Sequence, residues 1–236
     1  MLALHQFRHS AFCEKVRLVL AVKQLAYEVV EVTPGLGQLE LFRLSGQRQV
    51  PVLVDGAEVI ADSTAIAAYL EAKVPEPALL PADPGQRAQV LLLEDWADTA
   101  LAAGARLALV QAAAADAVLR GALLPQATPT ALRSLVDALP SGLLSGVSQV
   151  IDHGGLQQLR CNLEQLTALV GSRSYLVGEC LSLADLAVAA QLSLLQFPVS
   201  AGAPLVGRGV AGIADDPQLT PLFAWRDRIA AEAGRG

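Results

Sequence analysis

The sequence predicts an α+β chain of two domains, a small mixed-sheet domain followed by an all-helical one. Three observations carry this. Strand-like and helix-like patterns alternate through roughly the first eighty residues. Residues 74–85 then hold Pro75, Pro77, Pro81 and Pro84, a proline-rich break. From Gln86 onward the pattern is helical, rich in Ala and Leu, with few β-branched runs.

Each element follows from its local pattern. Leu2–Gln6 is a short apolar run, and Phe12, Val16, Val19 and Leu20 then recur at helical spacing. Tyr27–Val32 is β-branched and reads as a strand; Pro34 to Gly37 break it, and Leu39–Leu44 form a short helix. Pro51–Asp55 and Glu58–Ile60 flank Gly56 and Ala57, the signature of a tight hairpin. Asp62 opens a helix to about Lys73, with Ile66 and Leu70 one turn apart. The order β-α-β-α-β-β-α suits a mixed sheet with a parallel first βαβ unit and an antiparallel hairpin at its end. Domains are expected at 1–78 and 86–236, with a linker over 74–85, because proline removes backbone donors and restricts its predecessor. In the second domain Leu156, Leu159, Leu163, Leu166 and Val170 mark one buried helix face. Residues 115–155, broken by Pro125, Pro129 and Pro140, read as an irregular helical insertion.

Composition excludes several classes. With 53% hydrophobic and only 17% charged residues, a chain of 236 residues is not disordered and buries a genuine core. A net charge of −6 and a pI of about 5.1 disfavour a general nucleic-acid binder, which needs a basic face. Mean hydropathy of +0.44 raises the question of a membrane. The most apolar stretches, however, carry Asp98, Arg106 and Gln111 within Ala97–Ala115, and Asp185 and Gln191 within Leu183–Leu195. They read as core helices, not as spans of about 20 uninterrupted apolar residues. The first residues lack a basic stretch ahead of an apolar core, so no signal peptide is expected. Three dispersed cysteines, Cys13, Cys161 and Cys180, fit a reducing cytoplasm.

Two segments stand out. In Leu181–Leu186, Ser182 and Asp185 form a capping box with Leu181 and Leu186 as its hydrophobic staple, a folding device rather than a site. The segment His9–Arg17 lies between the first strand and the first helix, so its N–H groups point out of a helix N-terminus suited to an anion. A free thiol, of pKa about 8.5, is mostly protonated at neutral pH. A hydroxyl donor added to the helix dipole favours the thiolate, and Ser10 is placed to be that donor. From spacing alone Ser10 reads first as a simple helix cap. Cys13 is its rival, since His9, Lys15 and Arg17 nearby are of the kind that lowers a thiol pKa; a small buried thiol packed beside Val16 is the other reading. His9 and Cys13 stand four apart with no further ligands evident, so no metal is expected. Tyr69, Trp96 and Trp225 sit in helical patterns and read as core.

The segment from Ser10 to Val16 resembles the redox segment of glutaredoxins, with Ser10 replacing the first cysteine and Cys13 the second. Val50-Pro51 resembles the cis-proline turn of thioredoxin-like folds, whose preceding backbone pairs with a bound peptide like an added strand. Asp62-Ser63-Thr64-Ala65-Ile66 resembles the helix start with which glutathione transferases bind the γ-glutamyl group. There the Ser63 N–H and hydroxyl hold a carboxylate and Asp62 an ammonium. With the proline-rich linker, the Ser182–Asp185 box and the closing Asp216–Trp225 segment, the chain resembles the glutathione transferase superfamily over roughly 1–114 and 156–228.

The resemblance implies a thioredoxin-like N-terminal domain, a helical-bundle C-terminal domain, glutathione as co-substrate, no metal and a cytoplasmic homodimer. Carried over residue by residue, it implies Ser10 as the catalytic donor and Gln49, Val50, Pro51, Asp62 and Ser63 as glutathione contacts. Gln49 would reach the glycyl carboxylate, with Arg48 supplying charge; a solvated loop is the alternative for both. An acceptor pocket is expected around Phe7, Arg8, Arg106 and Val110. Tyrosine-type members place a Tyr at the end of the first strand, where Gln6-Phe7 stands here, so the resemblance is to the serine-type, bacterial-like branch. It implies conjugation of glutathione to small electrophiles in detoxification, with peroxide opening as a side activity. A thiol–disulfide oxidoreductase using Cys13 and a non-catalytic binding module are the alternatives. Two features depart from the family pattern, the 115–155 insertion and Ser45-Gly46 where many relatives carry Asn-Pro.

Overall fold

The computed structural model describes residues 1–33, 37–124, 153–203 and 205–234. Its first part folds as expected, β1 (Leu2–Gln6), α1 (Ala11–Val22), β2 (Tyr27–Glu31), α2 (Gly37–Ser45), β3 (Val52–Asp55), β4 (Glu58–Ala61) and α3 (Ser63–Lys73). The sheet order is β2-β1-β3-β4, with β1 parallel to β2 and β3 antiparallel to both β1 and β4. This is a thioredoxin-like mixed sheet. Gly56, at φ 62°, makes the two-residue β3–β4 turn, a backbone region that glycine enters without the Cβ clash.

Helix α1 carries the centre of this layer. Val16, Val19 and Leu20 are fully buried, together with Leu4 of β1, Leu53 of β3 and Ile66 and Leu70 of α3. Glu14, Lys15 and Arg17 of the same helix are buried too, and a buried charge demands a partner. Lys15 Nζ lies 2.6 Å from Glu94 Oε1 and donates to Thr64 Oγ1 at 3.2 Å, while that hydroxyl donates to Glu94 Oε1 at 2.5 Å. Lys23 pairs with Glu71 at 2.6 Å and donates to the carbonyls of Pro75 and Pro77. Glu71 also accepts from the amides of Leu79 and Leu80. The proline-rich stretch is therefore fastened to α1 and α3 by charged side chains. Pro84 opens the next helix, two residues before the expected start, because the first helical position needs no N–H donor.

The remaining described chain is helical. It comprises α4 (Pro84–Trp96), a π-helical turn over Ala97–Leu101, α5 (Ala102–Ala115), α6 (Ala117–Leu123), α7 (His153–Ser172), α8 (Leu183–Leu192) and α9 (Thr220–Glu232). On α7, Leu159, Leu163 and Leu166 are buried as the periodicity requires, with Leu156 and Val170 half-buried at its ends. Helix α8 is buried on every side, so the apolar stretch around it is core. At its start Asp185 accepts from the amides of Leu176 and Ser182, both at 2.8 Å, and from the Ser182 hydroxyl at 2.6 Å. Beyond Ala61 the described residues add only one isolated bridge, Gln196 to Gly209. A Cβ on Gly209 would lie 2.1 Å from the Leu195 carbonyl oxygen, so only glycine permits that approach. Asp116 caps α6 through the amides of Val118 and Leu119. Pro125, Pro129 and Pro140 of the expected insertion lie outside the described residues. Among the described residues no helix is long and apolar enough to cross a membrane.

The chain divides into two compact units. One comprises Met1–Asp95, Tyr175–Ala190 and Asp227–Gly236; the other comprises Trp96–Ser174 and Gln191–Arg226. Compactness thus groups three helical stretches with the sheet.

Candidate functional site

Strand register decides where the site is. His5 of β1 stands opposite Val52 of β3, and Val52 stands opposite Ala61 of β4. The β1–α1 loop carrying Ser10, the turn carrying Val50–Pro51 and the start of α3 at Asp62–Ser63 therefore all lie at one end of the strands. Strands lie about 4.8 Å apart, so the row from β1 to β4 spans roughly 10 Å. Three extended residues, at about 3.4 Å each, have the same length.

Ser10 is the N-cap of α1, at φ −84° and ψ 123°. Its amide donates to the Phe7 carbonyl at 3.0 Å and its Oγ accepts from the Cys13 amide at 3.4 Å. The capping reading holds, and it is compatible with the catalytic one. A cap uses an oxygen lone pair, while a thiolate needs the hydroxyl hydrogen.

Cys13 is fully buried, and burial pushes its thiol pKa up despite hydrogen bonding to Ser10 and the Phe7 backbone and despite the Arg17 charge. Of the cations expected near Cys13, Arg17 lowers the thiol pKa, and burial outweighs it. Burial, with Arg8 and Arg17 nearby, lowers His9 to about 4, so its imidazole is neutral at pH 7. Lys15 turns to Glu94 and Thr64. A reactive thiolate needs exposure and a lowered pKa, and Cys13 has neither.

Arg17 does other work. It donates to Glu14 Oε2 and Gln6 Oε1, each at 2.6 Å, and to the Arg8 carbonyl at 3.0 Å. Glu31 accepts from the Arg8 amide at 2.7 Å and from Gln6 Nε2 at 3.2 Å. This network ties the Phe7–Ser10 loop to β1 and β2. Sequence reasoning missed Gln6, Glu14 and Glu31, although charged residues at 14, 15 and 17 of an otherwise apolar helix were a signal.

The Val50–Pro51 peptide bond is cis. Pro51 is buried and Val50 half-buried; among the described residues no hydrogen bond engages the Val50 backbone. Gln49 and Arg48 are exposed, and the Arg48 guanidinium lies 5.6 Å from the centre of the Phe42 ring. Asp62 caps α3 with Oδ1, which accepts from Thr64 at 2.9 Å and Ala65 at 3.1 Å. Both bonds fall on one oxygen, which leaves Oδ2 of this exposed side chain for a cation. Asp62 has φ 80°, a conformation that costs energy outside glycine and that clusters at functional sites. Ser63, next to it, is buried at the first turn of α3.

Phe7 is half-buried, its ring edge-on to His9 at 5.8 Å, and Arg8 is exposed. Arg106 and Val110 are exposed one turn apart on α5, with Arg106 Nε donating to the Ala102 carbonyl at 3.2 Å. The first pair belongs to one compact unit and the second pair to the other. Among the described residues no group of three or more His, Cys, Asp or Glu side chains is arranged to hold a metal ion.

Residues 4–78, which span this whole row, match the family model for the glutathione S-transferase N-terminal domain. Along the full chain, a glutathione S-transferase of Rhodospirillum rubrum has the same fold, with a TM-score of 0.69, 25% identity, and coverage of 98% of this chain and 88% of that one. The N-terminal domain is thus of the glutathione S-transferase family, on a chain that shares that family's fold. Within that family, glutathione S-transferase Z1 of Arabidopsis thaliana is 41% identical over 90 residues, 37% of this chain and 41% of that protein. The alignments to the first curated relatives thus cover about two fifths of those relatives' length. FtsZ-localized protein A of Caulobacter vibrioides is 29% identical over 198 residues, 82% of this chain and 77% of that one.

Proposed function

We propose that this chain is a serine-type glutathione transferase that joins the glutathione thiolate to small electrophiles. The observation that carries the reading is the register row, which brings two helix N-termini and a backbone segment without a hydrogen bond among the described residues to one end of the strands, within the span of a tripeptide. In this reading the γ-glutamyl carboxylate takes the Ser63 N–H and hydroxyl at the positive end of α3, and Asp62 Oδ2 takes the ammonium. The cysteinyl backbone pairs with Val50 as an added strand. Gln49 reaches the glycyl carboxylate. The thiol then lies at the start of α1, where the Ser10 hydroxyl and the helix dipole favour its ionised form. The thiolate sulfur attacks the electrophilic carbon and the leaving group departs with the bonding pair; with a peroxide the sulfur attacks oxygen and the O–O bond breaks. The protein orients and ionises the nucleophile, and glutathione supplies the covalent chemistry. Phe7 and Arg8 are proposed to border the acceptor.

Burial of Cys13 weighs against the thiol–disulfide alternative. One observation favours a second reading, a binding module. One relative matched over most of this chain is FtsZ-localized protein A, named for where it resides and not for a reaction. A conjugation assay with glutathione and an aromatic electrophile separates these, run on the parent, Ser10→Ala and Cys13→Ala. Transferase chemistry requires turnover in the parent, collapse in Ser10→Ala and retention in Cys13→Ala. Unchanged turnover in Ser10→Ala contradicts the Ser10 role; glutathione-dependent disulfide reduction lost in Cys13→Ala, with no conjugation in the parent, supports the oxidoreductase. A cytoplasmic homodimer acting in detoxification is part of the same proposal, and Leu91 and Leu92, exposed on α4, are apolar surface for a second copy.

A further inference from the structure

We infer that Thr64 is a positioning residue, through which the buried Lys15–Glu94 pair holds the two helix starts of the site in fixed relation. The inference rests on the glutathione reading above. Ser10 opens α1 and Asp62–Ser63 open α3, so each binding group owes its place to its own helix. Lys15 sits five residues into α1 and Thr64 follows Ser63 directly. Between them stands Glu94, 3% exposed, whose single oxygen Oε1 takes both the Lys15 ammonium at 2.6 Å and the Thr64 hydroxyl at 2.5 Å. Lys15 itself is fully buried and donates to Thr64 Oγ1 at 3.2 Å.

Thr64 uses both faces of its hydroxyl, accepting from the ammonium of α1 and donating to the carboxylate of α4. Such charge-assisted bonds in a low-dielectric interior are short and directional, and they polarise one another. Stability alone would be served by the Lys15–Glu94 pair. The Thr64 bonds add a link from that pair to the first turn of α3, beside the residue proposed to hold the γ-glutamyl carboxylate. Loosening the link lets the α3 start shift relative to α1, and a site of this kind tolerates displacements of only about 0.5 Å.

Thr64→Val removes the hydroxyl at nearly constant volume, and Thr64→Ser restores it. Glutathione affinity by calorimetry and the kinetic constants for conjugation are read on the parent and both variants. The expected result is a rise of about tenfold in the glutathione Kd and KM in Thr64→Val, the loss of one charge-assisted hydrogen bond. kcat at saturating glutathione should change less than about threefold, and Thr64→Ser should lie close to the parent. A general loss of structure would not separate KM from kcat, nor be reversed by a hydroxyl. If Thr64→Val does not fold, Glu94→Gln, which keeps an acceptor but removes the charge, must show the same KM-selective rise. Parent-like affinity in a folded Thr64→Val, or no recovery in Thr64→Ser, overturns the positioning role while leaving the glutathione reading intact. A parent that binds no glutathione overturns both.

Discussion

At the scale of single residues, the proposed chemistry turns on how one hydroxyl is shared. The Ser10 oxygen accepts from the Cys13 amide, and its hydrogen is what a bound thiolate would receive. Removing it should therefore leave the tripeptide held elsewhere but poorly ionised. In Ser10→Ala the pKa of bound glutathione, followed by thiolate absorbance in the ultraviolet, should rise toward the free value of about 8.5. Turnover should fall on the order of 100-fold, the usual effect of losing one preorganised donor to a developing anion. His9 provides an independent test of the same loop. Its pKa is lowered from the ordinary 6.5 to about 4, so folding favours the neutral imidazole. A depressed pKa contributes stability that is present above pH 6.5 and is lost as pH falls toward 4. His9→Gln should accordingly lose less thermal stability than the parent across that window. Parallel melting profiles for the two proteins would show that His9 is not desolvated in the folded state.

At the scale of elements, much of the first unit was legible because its signals are local. Alternating patterns, the Gly56-Ala57 turn and the Asp62 cap each lie within a few residues of what they specify, and strands and helices appear within a residue or two of expectation. Pairings distant in sequence were not legible. Lys15 and Glu94 are 79 residues apart, and no local pattern pairs them. The same holds for Gln6 and Glu31 around Arg17. Around Cys13 too, the sequence names nearby charges but not their partners, Glu94 for Lys15 and Glu14 for Arg17. Lys15→Met leaves Glu94 buried without its counter-charge and should cost about 3–5 kcal/mol, measured by denaturant unfolding. A loss below about 1 kcal/mol would mean that water reaches this carboxylate. Asp185 supports the start of α8 in the same way. Asp185→Ala strands the amides of Leu176 and Ser182 and should cost about 1–3 kcal/mol for each unsatisfied group.

At the scale of the whole molecule, the helical stretches that close up with the sheet, such as Tyr175–Ala190, come from late in the sequence. The composition break at 74–85 marks where strand patterning ends, but packing depends on contacts that no local pattern encodes. A homodimer predicts a light-scattering mass twice the 24.6 kDa of the chain, and Leu92→Glu, at an exposed position of α4, should shift it toward the monomer. The row formed by Ser10, Val50–Pro51 and Asp62–Ser63 is tested most directly by calorimetric titration of glutathione into the parent and into Ser63→Ala. The prediction is one glutathione bound per chain in the parent, with affinity at least about tenfold weaker in Ser63→Ala once a charge-assisted contact to the carboxylate is lost. No heat of binding in the parent, or equal affinity in the two proteins, would contradict it.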